Sequence, residues 1–260
     1  MLLSVVISWR DRTELGRCVE SLSRMLDGSD VEIIVVNLGG KRDLLESQIA
    51  AFNNVKIVEK ESKWFNKPVA QNFGAQAARG DYLFFCDCDI LFHNTDFLDL
   101  YDKVRAASKV FGTLAGVRET DPNSRGGRNV ACFGYELTIR IANGASVRIV
   151  DNEEDIEIGT RQAPGLLLVK REDFDAVGGY NSALDGWGWE DQDMICRLSL
   201  HARLERVNHG EVLHISHSDK ARTQAFPVKD RWKSRDQMFR RALNNYDEGR
   251  FIGTFTIDTL

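Results

Sequence analysis

The stretch "DYLFFCDCDILF" (81–92) places two carboxylates, Asp87 and Asp89, inside an otherwise apolar run. The run predicts a buried β-strand, in which two neighbouring carboxylates are costly unless positive charge lies beside them. An Asp-X-Asp pair at the carboxyl end of a strand is typical of a site where Mg²⁺ or Mn²⁺ bridges the protein to a diphosphate. The alternative is that one aspartate caps the next segment and the other is solvated.

The elements before this pair predict where it lies. Apolar runs predict strands, helically spaced apolar residues predict helices, and the two alternate along the first 90 residues. The predicted strands are 2–8, 31–37, 55–60 and the stretch above. The predicted helices are one that includes Leu15–Met25, one over about 42–51 and one over 67–80. This order predicts an α/β fold with a mostly parallel central sheet and helices on both faces. Ligands of such sheets bind beyond the carboxyl ends of the strands, where the two aspartates fall.

The composition excludes several classes of protein. A net charge of −5 argues against broad nucleic-acid binding. No apolar run approaches the roughly 18 residues that cross a bilayer, and the start "MLLSVVISWRDR" predicts a first strand rather than a signal peptide. The five cysteines include no Cys-X-X-Cys pair, which favours reduced thiols. We therefore expect a cytoplasmic protein, with at most peripheral contact at the inner face of the membrane.

Four stretches carry a resemblance, and they occur in this order: "VVISWRDR", "VEIIVVN", "FNKPVAQNFGAQAARGDYLFFCDCDILF" and "GWGWEDQD". Together they resemble the GT-A nucleotide-sugar glycosyltransferases, especially the β-1,4-galactosyltransferase family and the bacterial family 2 enzymes that share its C-terminal motif. The resemblance covers most of residues 1–220. It implies the Rossmann-like GT-A fold, a UDP-sugar donor and a Mn²⁺ (or Mg²⁺) cofactor.

The resemblance also implies a donor site. The segment "ISWRDR" is similar to the family segment that holds uridine, and "FNK" is similar to one whose cation touches the diphosphate. Asp87 would then touch the ribose or a metal-bound water. The implied donor-binding residues are Ser8, Trp9, Arg10, Arg12, Lys67, Asp87 and Asp89. The alternatives are a basic turn after a strand and a surface lysine before a proline.

The segment "WGWEDQD" resembles the family's acceptor motif, shortened here by two glycines. Inverting sugar transfer needs a carboxylate that takes the proton of the acceptor hydroxyl. The resemblance assigns this role to Asp191 and acceptor binding to Glu190, while Trp187 and Trp189 offer flat faces to a pyranose. The alternative is an acidic helix start with core tryptophans.

The segment "VLHISHSD" resembles the strand or loop on which the family carries its remaining metal ligands. The implied ligands are Asp89, His214 and His217, and imidazole suits Mn²⁺ beside carboxylate oxygens. We expect one domain over 1–260, made of a nucleotide-binding half (1–115), an acceptor and metal half (116–220) and a helical tail (221–260). The loop 118–130, with Arg118, Arg125 and Arg128, is either a lid or an ordinary surface loop.

The sequence thus predicts a metal-dependent inverting glycosyltransferase that moves galactose or N-acetylgalactosamine from a UDP-sugar to a glycan or glycolipid acceptor, in bacterial polysaccharide synthesis. A nucleotidyltransferase is one alternative, although it would lack the tryptophan-rich acidic motif. A non-catalytic nucleotide- or carbohydrate-binding module is another, although the presence of Asp191 argues against it. The tail either packs as a helix or touches an anionic membrane surface.

Overall fold

The computed structural model describes residues 2–28, 30–121, 134–152 and 160–260. Its strands are β1 (Leu3–Trp9), β2 (Val31–Leu38), β3 (Val55–Lys60), β4 (Tyr82–Asp87), β5 (Ile90–Leu91), β6 (Val110–Thr113), β7 (Gly116–Glu119), β8 (Gly134–Arg140), β9 (Ser146–Asn152), β10 (Thr160–Arg161), β11 (Leu167–Lys170), β12 (Glu205–Asn208) and β13 (Glu211–His214). Its helices are α1 (Leu15–Met25), α2 (Arg42–Ile49), α3 (Lys67–Ala77), α4 (Asp96–Ala106), α5 (Arg171–Ala176), α6 (Glu190–Leu200), α7 (Asp219–Thr223), α8 (Arg231–Asp247) and α9 (Phe255–Asp258).

The main sheet runs β12-β6-β11-β4-β1-β2-β3, and only β11 pairs antiparallel to its neighbours in it. Every residue of β1 is buried, as its continuous apolar run predicts for a strand with both faces covered. The apolar residues form two clusters, one on each face of the sheet, with α1 and α4 in one cluster and α3 and α6 in the other. The predicted α/β fold with a mostly parallel sheet is confirmed.

A second, smaller sheet, in the order β10-β7-β13-β5, lies where the main sheet's fourth strand ends. The chain leaves β4 at Asp87, turns through Cys88 and Asp89, and enters β5, so the predicted single strand is divided between two sheets. The strand β13 pairs with β5 on one side and with β7 on the other. These pairings decide which side chains meet Asp89.

Three further predictions concern a loop, a strand and a hairpin in the second half of the chain. The predicted loop 118–130 is wrong at its start, because Arg118 and Glu119 belong to β7, which pairs with β13 and β10. The segment "VLHISH" (212–217) predicts a short strand, which in the structure ends at His214. Arg125 and Arg128 of the predicted loop lie outside the described residues. The strand-like stretches "YELTIRI" and "ASVRIV" on either side of "ANG" predict a hairpin, and β8 and β9 form this antiparallel pair.

The C-terminal helix α8 packs against the domain through Met238, Ala242 and Tyr246, which are buried in one of the two clusters. The hydroxyl of Tyr246 donates to Asp193 Oδ1 at 2.7 Å, and Asp193 also accepts from Arg197. This buried network ties α8 to α6, in agreement with the packed-helix interpretation of the tail. Within the described residues, no helix has the length and apolar character that a membrane span requires.

Candidate active site

A cavity of about 320 Å³ opens at the carboxyl ends of β1 and β4. Its wall includes every residue that the sequence predicted for the site except Trp9. Trp9 is fully buried in the core, and its indole N–H donates to the carbonyl of Arg12 at 2.8 Å. The Trp9 side chain therefore stabilises the turn after β1 and does not line the cavity.

Three side chains meet in a cluster of metal-ligand type within the cavity. One ligand atom each from Asp89, His214 and His217 can be chosen so that all lie within 4.8 Å of one another. Asp89 Oδ2 lies 3.4 Å from His214 Nε2 and 3.2 Å from His217 Nε2. The pairing of β13 with β5 places His214 opposite Ile90, next to Asp89, and the amide of Ile215 donates to the Asp89 carbonyl at 2.7 Å.

Each histidine of this cluster has its other ring nitrogen beside an oxygen acceptor. His214 Nδ1 lies 2.7 Å from Glu119 Oε2, and His217 Nδ1 lies 3.1 Å from the Ser218 carbonyl. When these Nδ1–H groups donate, both Nε2 lone pairs point toward Asp89. The cluster thus offers one carboxylate and two imidazoles, a donor set that suits Mn²⁺.

Glu119 is a candidate site residue that the sequence analysis did not single out. It is 4% exposed, accepts a hydrogen bond from Ser216 Oγ at 2.8 Å, and lies 3.5 Å from Arg161 Nε. Burial alone would raise the pKa of Glu119, but its hydrogen bond with His214 and the charges of His214 and Arg161 lower that pKa to about 2. Its signal in the sequence is slight: a charged residue at the end of the strand-like run "AGVRE".

Asp89 is held ionised by its neighbours. Burial raises the pKa of this carboxyl, but the charge of His214, hydrogen bonds from both histidines and the charge of Arg12 hold it well below its ordinary value. Arg12 Nη2 donates to Asp89 Oδ2 at 3.1 Å and to Glu14 Oε1 at 2.9 Å. An anionic Asp89 is the form that a divalent cation requires.

The donor edge of the cavity is built by the parallel register of β1 and β4, which sets Ser8 beside Asp87. Ser8 Oγ is buried and has no hydrogen-bond partner among the described residues. Arg10 donates to the carbonyls of Ser62 and Lys63 at 3.2 and 3.1 Å, so the backbone of that segment fixes its guanidinium at the cavity wall. A buried, unpartnered hydroxyl in a cavity wall is a group that a ligand can satisfy.

Lys67 links the donor edge to the acidic motif. Its Nζ lies 2.9 Å from Asp87 Oδ1, 3.0 Å from Asp191 Oδ2 and 4.0 Å from Glu190 Oε1. Burial lowers the pKa of Lys67, but the three carboxylates raise it well above its ordinary value, so it remains a cation. A Cβ at Gly165 would lie 2.6 Å from Asp191 Oδ2 and 2.9 Å from Lys67 Nζ, so only glycine leaves room for this ion pair against the backbone.

The two acidic side chains at the start of α6 both have a raised pKa. Burial and the charge of Asp191 raise the pKa of Glu190 to about 8, with Lys67 opposing the shift. Burial also raises the pKa of Asp191, which the charge and hydrogen bond of Lys67 counteract. Glu190 Oε2 and Asp191 Oδ1 are buried and have no hydrogen-bond partner in the described part of the chain. Both atoms are therefore open to a polar ligand in the cavity.

The turn before α6 is left-handed at two consecutive residues, Gly188 (φ 90°) and Trp189 (φ 74°). Such a conformation is strained for tryptophan, and the packing of its ring 4.4 Å from that of Phe239 holds it in place. The ring of Trp187 instead lies at the cavity wall, beside Trp232 of α8. The turn directs Trp187, Glu190 and Asp191 to the cavity, while Trp189 is mostly buried at its edge.

Comparisons with known proteins identify the family. Residues 4–159 match the family described as Glycosyl transferase family 2, and residues 151–218 match one described as N-terminal domain of galactosyltransferase. Two validoxylamine A glucosyltransferases, from Streptomyces hygroscopicus subsp. jinggangensis (strain 5008) and subsp. limoneus, are each 25% identical to this chain over an alignment of 218 residues. Each match covers 77% of this chain. The match covers 52% and 48% of those proteins, so the chain spans about half the length of the curated relatives it matches.

Two solved structures share the fold. The mannosyltransferase PcManGT from Pyrobaculum calidifontis, in complex with GDP-Man and Mn²⁺, has a TM-score of 0.57 at 14% identity and covers 93% of this chain and 64% of its own. GalNAc-T7 with UDP, GalNAc and Mn²⁺ has a TM-score of 0.62 at 15% identity and covers 94% of this chain and 48% of its own. The fold is thus the GT-A fold that the sequence predicted. The family match over residues 4–159 includes β1, β4 and the Asp87–Asp89 turn, and the chain belongs to glycosyl transferase family 2.

Proposed function

We propose that this protein is a metal-dependent, inverting glycosyltransferase that transfers a sugar from a nucleoside-diphosphate sugar to a hydroxyl of a glycan or glycolipid acceptor. The single observation that carries the proposal is one cavity lined by both the metal-ligand cluster and the Glu190–Asp191 pair, with Lys67 ion-paired to Asp191 and to Asp87, two residues before Asp89. A nucleotidyltransferase would have no use for an acidic pair beside a tryptophan ring in the cavity wall. A binding module would not need a buried carboxylate next to a cation.

The residues divide between donor and acceptor. Asp89, His214 and His217 would hold Mn²⁺, which when bound supplies positive charge to the leaving diphosphate. Ser8, Arg10 and Arg12 line the end of the cavity where the nucleoside would bind, and Asp87 lies between them and Lys67. Support for Mn²⁺ comes from the donor set and from the Mn²⁺ named with both structural neighbours.

Asp191 would act as the general base. Its Oδ1 is unpartnered among the described residues, while Oδ2 accepts from Lys67 at 3.0 Å. The lysine keeps the carboxylate ionised and oriented, so that Oδ1 can take the proton of an acceptor hydroxyl as the hydroxyl attacks the anomeric carbon. Trp187 would offer its ring face to the acceptor sugar, and Glu190 would hydrogen-bond one of its hydroxyls.

The donor is best tested by calorimetric titration of UDP and of GDP, each with Mn²⁺ and with EDTA, followed by transfer assays. UDP-galactose and UDP-N-acetylgalactosamine are the donors we favour, with UDP-glucose and GDP-mannose as the competing choices that the comparisons suggest. Metal-dependent binding of one nucleotide, with transfer of its sugar and inversion at the anomeric carbon, is the expected result. Binding that EDTA does not weaken would contradict the proposed metal site.

Glu119→Gln is expected to weaken Mn²⁺ binding by about 10–100-fold, because His214 loses the carboxylate that orients its ring and sets its tautomer. The measurement is titration of Mn²⁺ by electron paramagnetic resonance, which reports free Mn²⁺ without any substrate. Glu211→Gln is the matched control, since Glu211 lies on the neighbouring strand, is 42% exposed and pairs with Arg118. Equal Mn²⁺ affinity of both variants and the wild type would refute the positioning role of Glu119.

Glu190→Gln is expected to change how stability depends on pH. A folded-state pKa of about 8, above the ordinary 4.5, means that the folded protein holds this proton more tightly than the unfolded chain does. The free energy of unfolding that this group contributes therefore falls as pH rises from about 4.5 to about 8. Glutamine cannot ionise, so at pH of about 9 the free energy of unfolding of the variant should exceed that of the wild type by on the order of 2 kcal/mol. This figure is smaller than the full pKa shift would give, because Asp191 shares the shift.

The measurement is urea unfolding in EDTA at several pH values. The exposed carboxylate of Glu61 provides the control, because Glu61→Gln should leave the pH dependence of the wild type unchanged. If the free energy of unfolding of Glu190→Gln changes with pH in the same way as that of the wild type, Glu190 ionises normally in the folded protein.

A further inference from the structure

Arg12 lies between the nucleoside end of the cavity and the metal-ligand cluster. Its carbonyl accepts from the Trp9 indole and from Gln48 Nε2, each at 2.8 Å, which fixes its backbone in the turn after β1. Its side chain is part of the cavity wall. Arg12 Nε and Nη2 donate to the two oxygens of Glu14 at 3.1 and 2.9 Å, and Nη2 also donates to Asp89 Oδ2 at 3.1 Å. The structure thus places this guanidinium in direct contact with a proposed metal ligand.

The oxygen of Asp89 that Arg12 contacts is the one that faces both histidines. Asp89 Oδ2 lies 3.4 Å from His214 Nε2 and 3.2 Å from His217 Nε2, as well as 3.1 Å from Arg12 Nη2. A group that only oriented Asp89 for a cation would hold its other oxygen, Oδ1, and leave Oδ2 open. Arg12 instead binds the oxygen that a cation held by both imidazoles would take as a ligand. Two positive charges at such short range repel each other.

Two features allow the guanidinium of Arg12 to exchange partners. Glu14 holds it through two hydrogen bonds, so the guanidinium keeps a counter-charge when it moves away from Asp89. Its third nitrogen, Nη1, makes no hydrogen bond within the described residues. A nucleoside diphosphate at the cluster brings phosphate oxygens, whose geometry matches the guanidinium fork. Arg12 can therefore give up Asp89 for a phosphate while it retains Glu14.

We propose that Arg12 and a divalent cation compete for Asp89, and that the diphosphate of the donor relieves this competition by binding the guanidinium. Arg12 is then the residue that couples cation binding to nucleotide binding, because it weakens binding of the cation alone and strengthens binding of the nucleotide. The coupling is reciprocal: the factor by which the nucleotide tightens cation binding is the factor by which the cation tightens nucleotide binding. The inference rests on the proposed function, since it concerns the cation and the donor of that site.

Arg12→Gln is expected to change two affinities in opposite directions. Mn²⁺ alone, titrated by electron paramagnetic resonance, should bind the variant about tenfold more tightly than the wild type, because the competing positive charge is gone. UDP or GDP, whichever the wild type binds, is titrated calorimetrically at saturating Mn²⁺. It should bind the variant about tenfold more weakly, because a charge-assisted hydrogen bond to phosphate is lost. A purely structural role of Arg12 would weaken both affinities or change neither.

Glu14→Gln is the complementary variant. It leaves Arg12 with Asp89 as its remaining ion-pair partner among the described residues, so Mn²⁺ alone should bind this variant more weakly than the wild type. Arg17→Gln, at an exposed position on α1, should match the wild type in both titrations. If Arg12→Gln does not fold, the double variant Arg12→Gln/Glu14→Gln removes both members of the ion pair. It should still bind Mn²⁺ more tightly than the wild type, because Asp89 Oδ2 is released.

The outcomes separate this inference from the proposed function. Suppose that the wild type binds Mn²⁺ and a nucleotide: Mn²⁺ affinity of Arg12→Gln that is unchanged or lower then overturns the competition for Asp89. Tighter Mn²⁺ binding with unchanged nucleotide affinity overturns the coupling. Both results leave the proposed function intact. If the wild type binds neither UDP nor GDP in a Mn²⁺-dependent manner, the proposed function itself is refuted, and this inference with it.

Discussion

Asp191→Asn is expected to lower kcat for sugar transfer by about 10²–10⁴-fold, the range that a general base contributes. Asparagine keeps the shape of the side chain and can still accept a hydrogen bond from Lys67, which lies 3.0 Å from Oδ2 in the wild type. It has no carboxylate to receive the proton of the acceptor hydroxyl. Lys67 retains the carboxylate of Asp87 at 2.9 Å as a counter-charge, so the variant should fold.

The loss should lie in kcat, with metal-dependent nucleotide binding and the KM for the acceptor little changed, because Asp191 is not part of the metal-ligand cluster. Steady-state transfer and calorimetry on the same preparation separate these quantities. Asp247→Asn, at an exposed position near the end of α8, controls for a change of aspartate that leaves the cavity intact. If Asp191→Asn retains more than about a tenth of the activity, another group takes the proton and the assignment of the base is wrong.

Asp89→Asn is expected to weaken Mn²⁺ binding by more than about 100-fold, exceeding the effect expected for Glu119→Gln, and to abolish metal-dependent nucleotide binding. The substitution removes the carboxylate of the cluster and leaves the two imidazoles. It also removes one of the two counter-charges of Arg12, which donates to Asp89 Oδ2 at 3.1 Å and keeps Glu14 at 2.9 Å. Breaking such a buried pair destabilises a protein by about 3–5 kcal/mol, so thermal unfolding must be followed alongside binding.

A second variant keeps this test sharp if Asp89→Asn is too unstable. His217→Ala leaves Asp89, His214 and Glu119 in place and should give an intermediate loss of Mn²⁺ affinity. Asp99→Asn, an exposed aspartate on α4, should bind Mn²⁺ and nucleotide as the wild type does. Nucleotide binding that survives both Asp89→Asn and EDTA would show that the cation site lies elsewhere or that none is needed.

Both predictions of a large effect concern residues that the sequence analysis had placed in the site. It could place them because local sequence features mark the elements that carry them. Apolar runs end at Asp87 because a buried strand ends there, and the acidic "EDQD" opens a helix whose N-terminus favours negative charge. The carboxyl ends of parallel strands meet at one edge of a sheet, so the cavity position followed from element order. Trp9 was predicted to contact the donor but lies in the core, because an aromatic residue at the end of a strand is equally compatible with a core position and with a ligand contact.

The sequence by itself determined the α/β architecture, the strands and helices that carry the motifs, and the types of chemistry-bearing side chains at their ends. Only the tertiary structure decided which distant groups complete the site. Glu119 meets His214 across 95 residues, and Lys67 meets Asp191 across 124. Hydrophobic patterning specifies which face of a strand or helix is buried, but not which strand pairs with which, nor on which turn a helix docks. The contacts of Glu119 and of Lys67 depend on those pairings and on that docking, which local sequence does not determine.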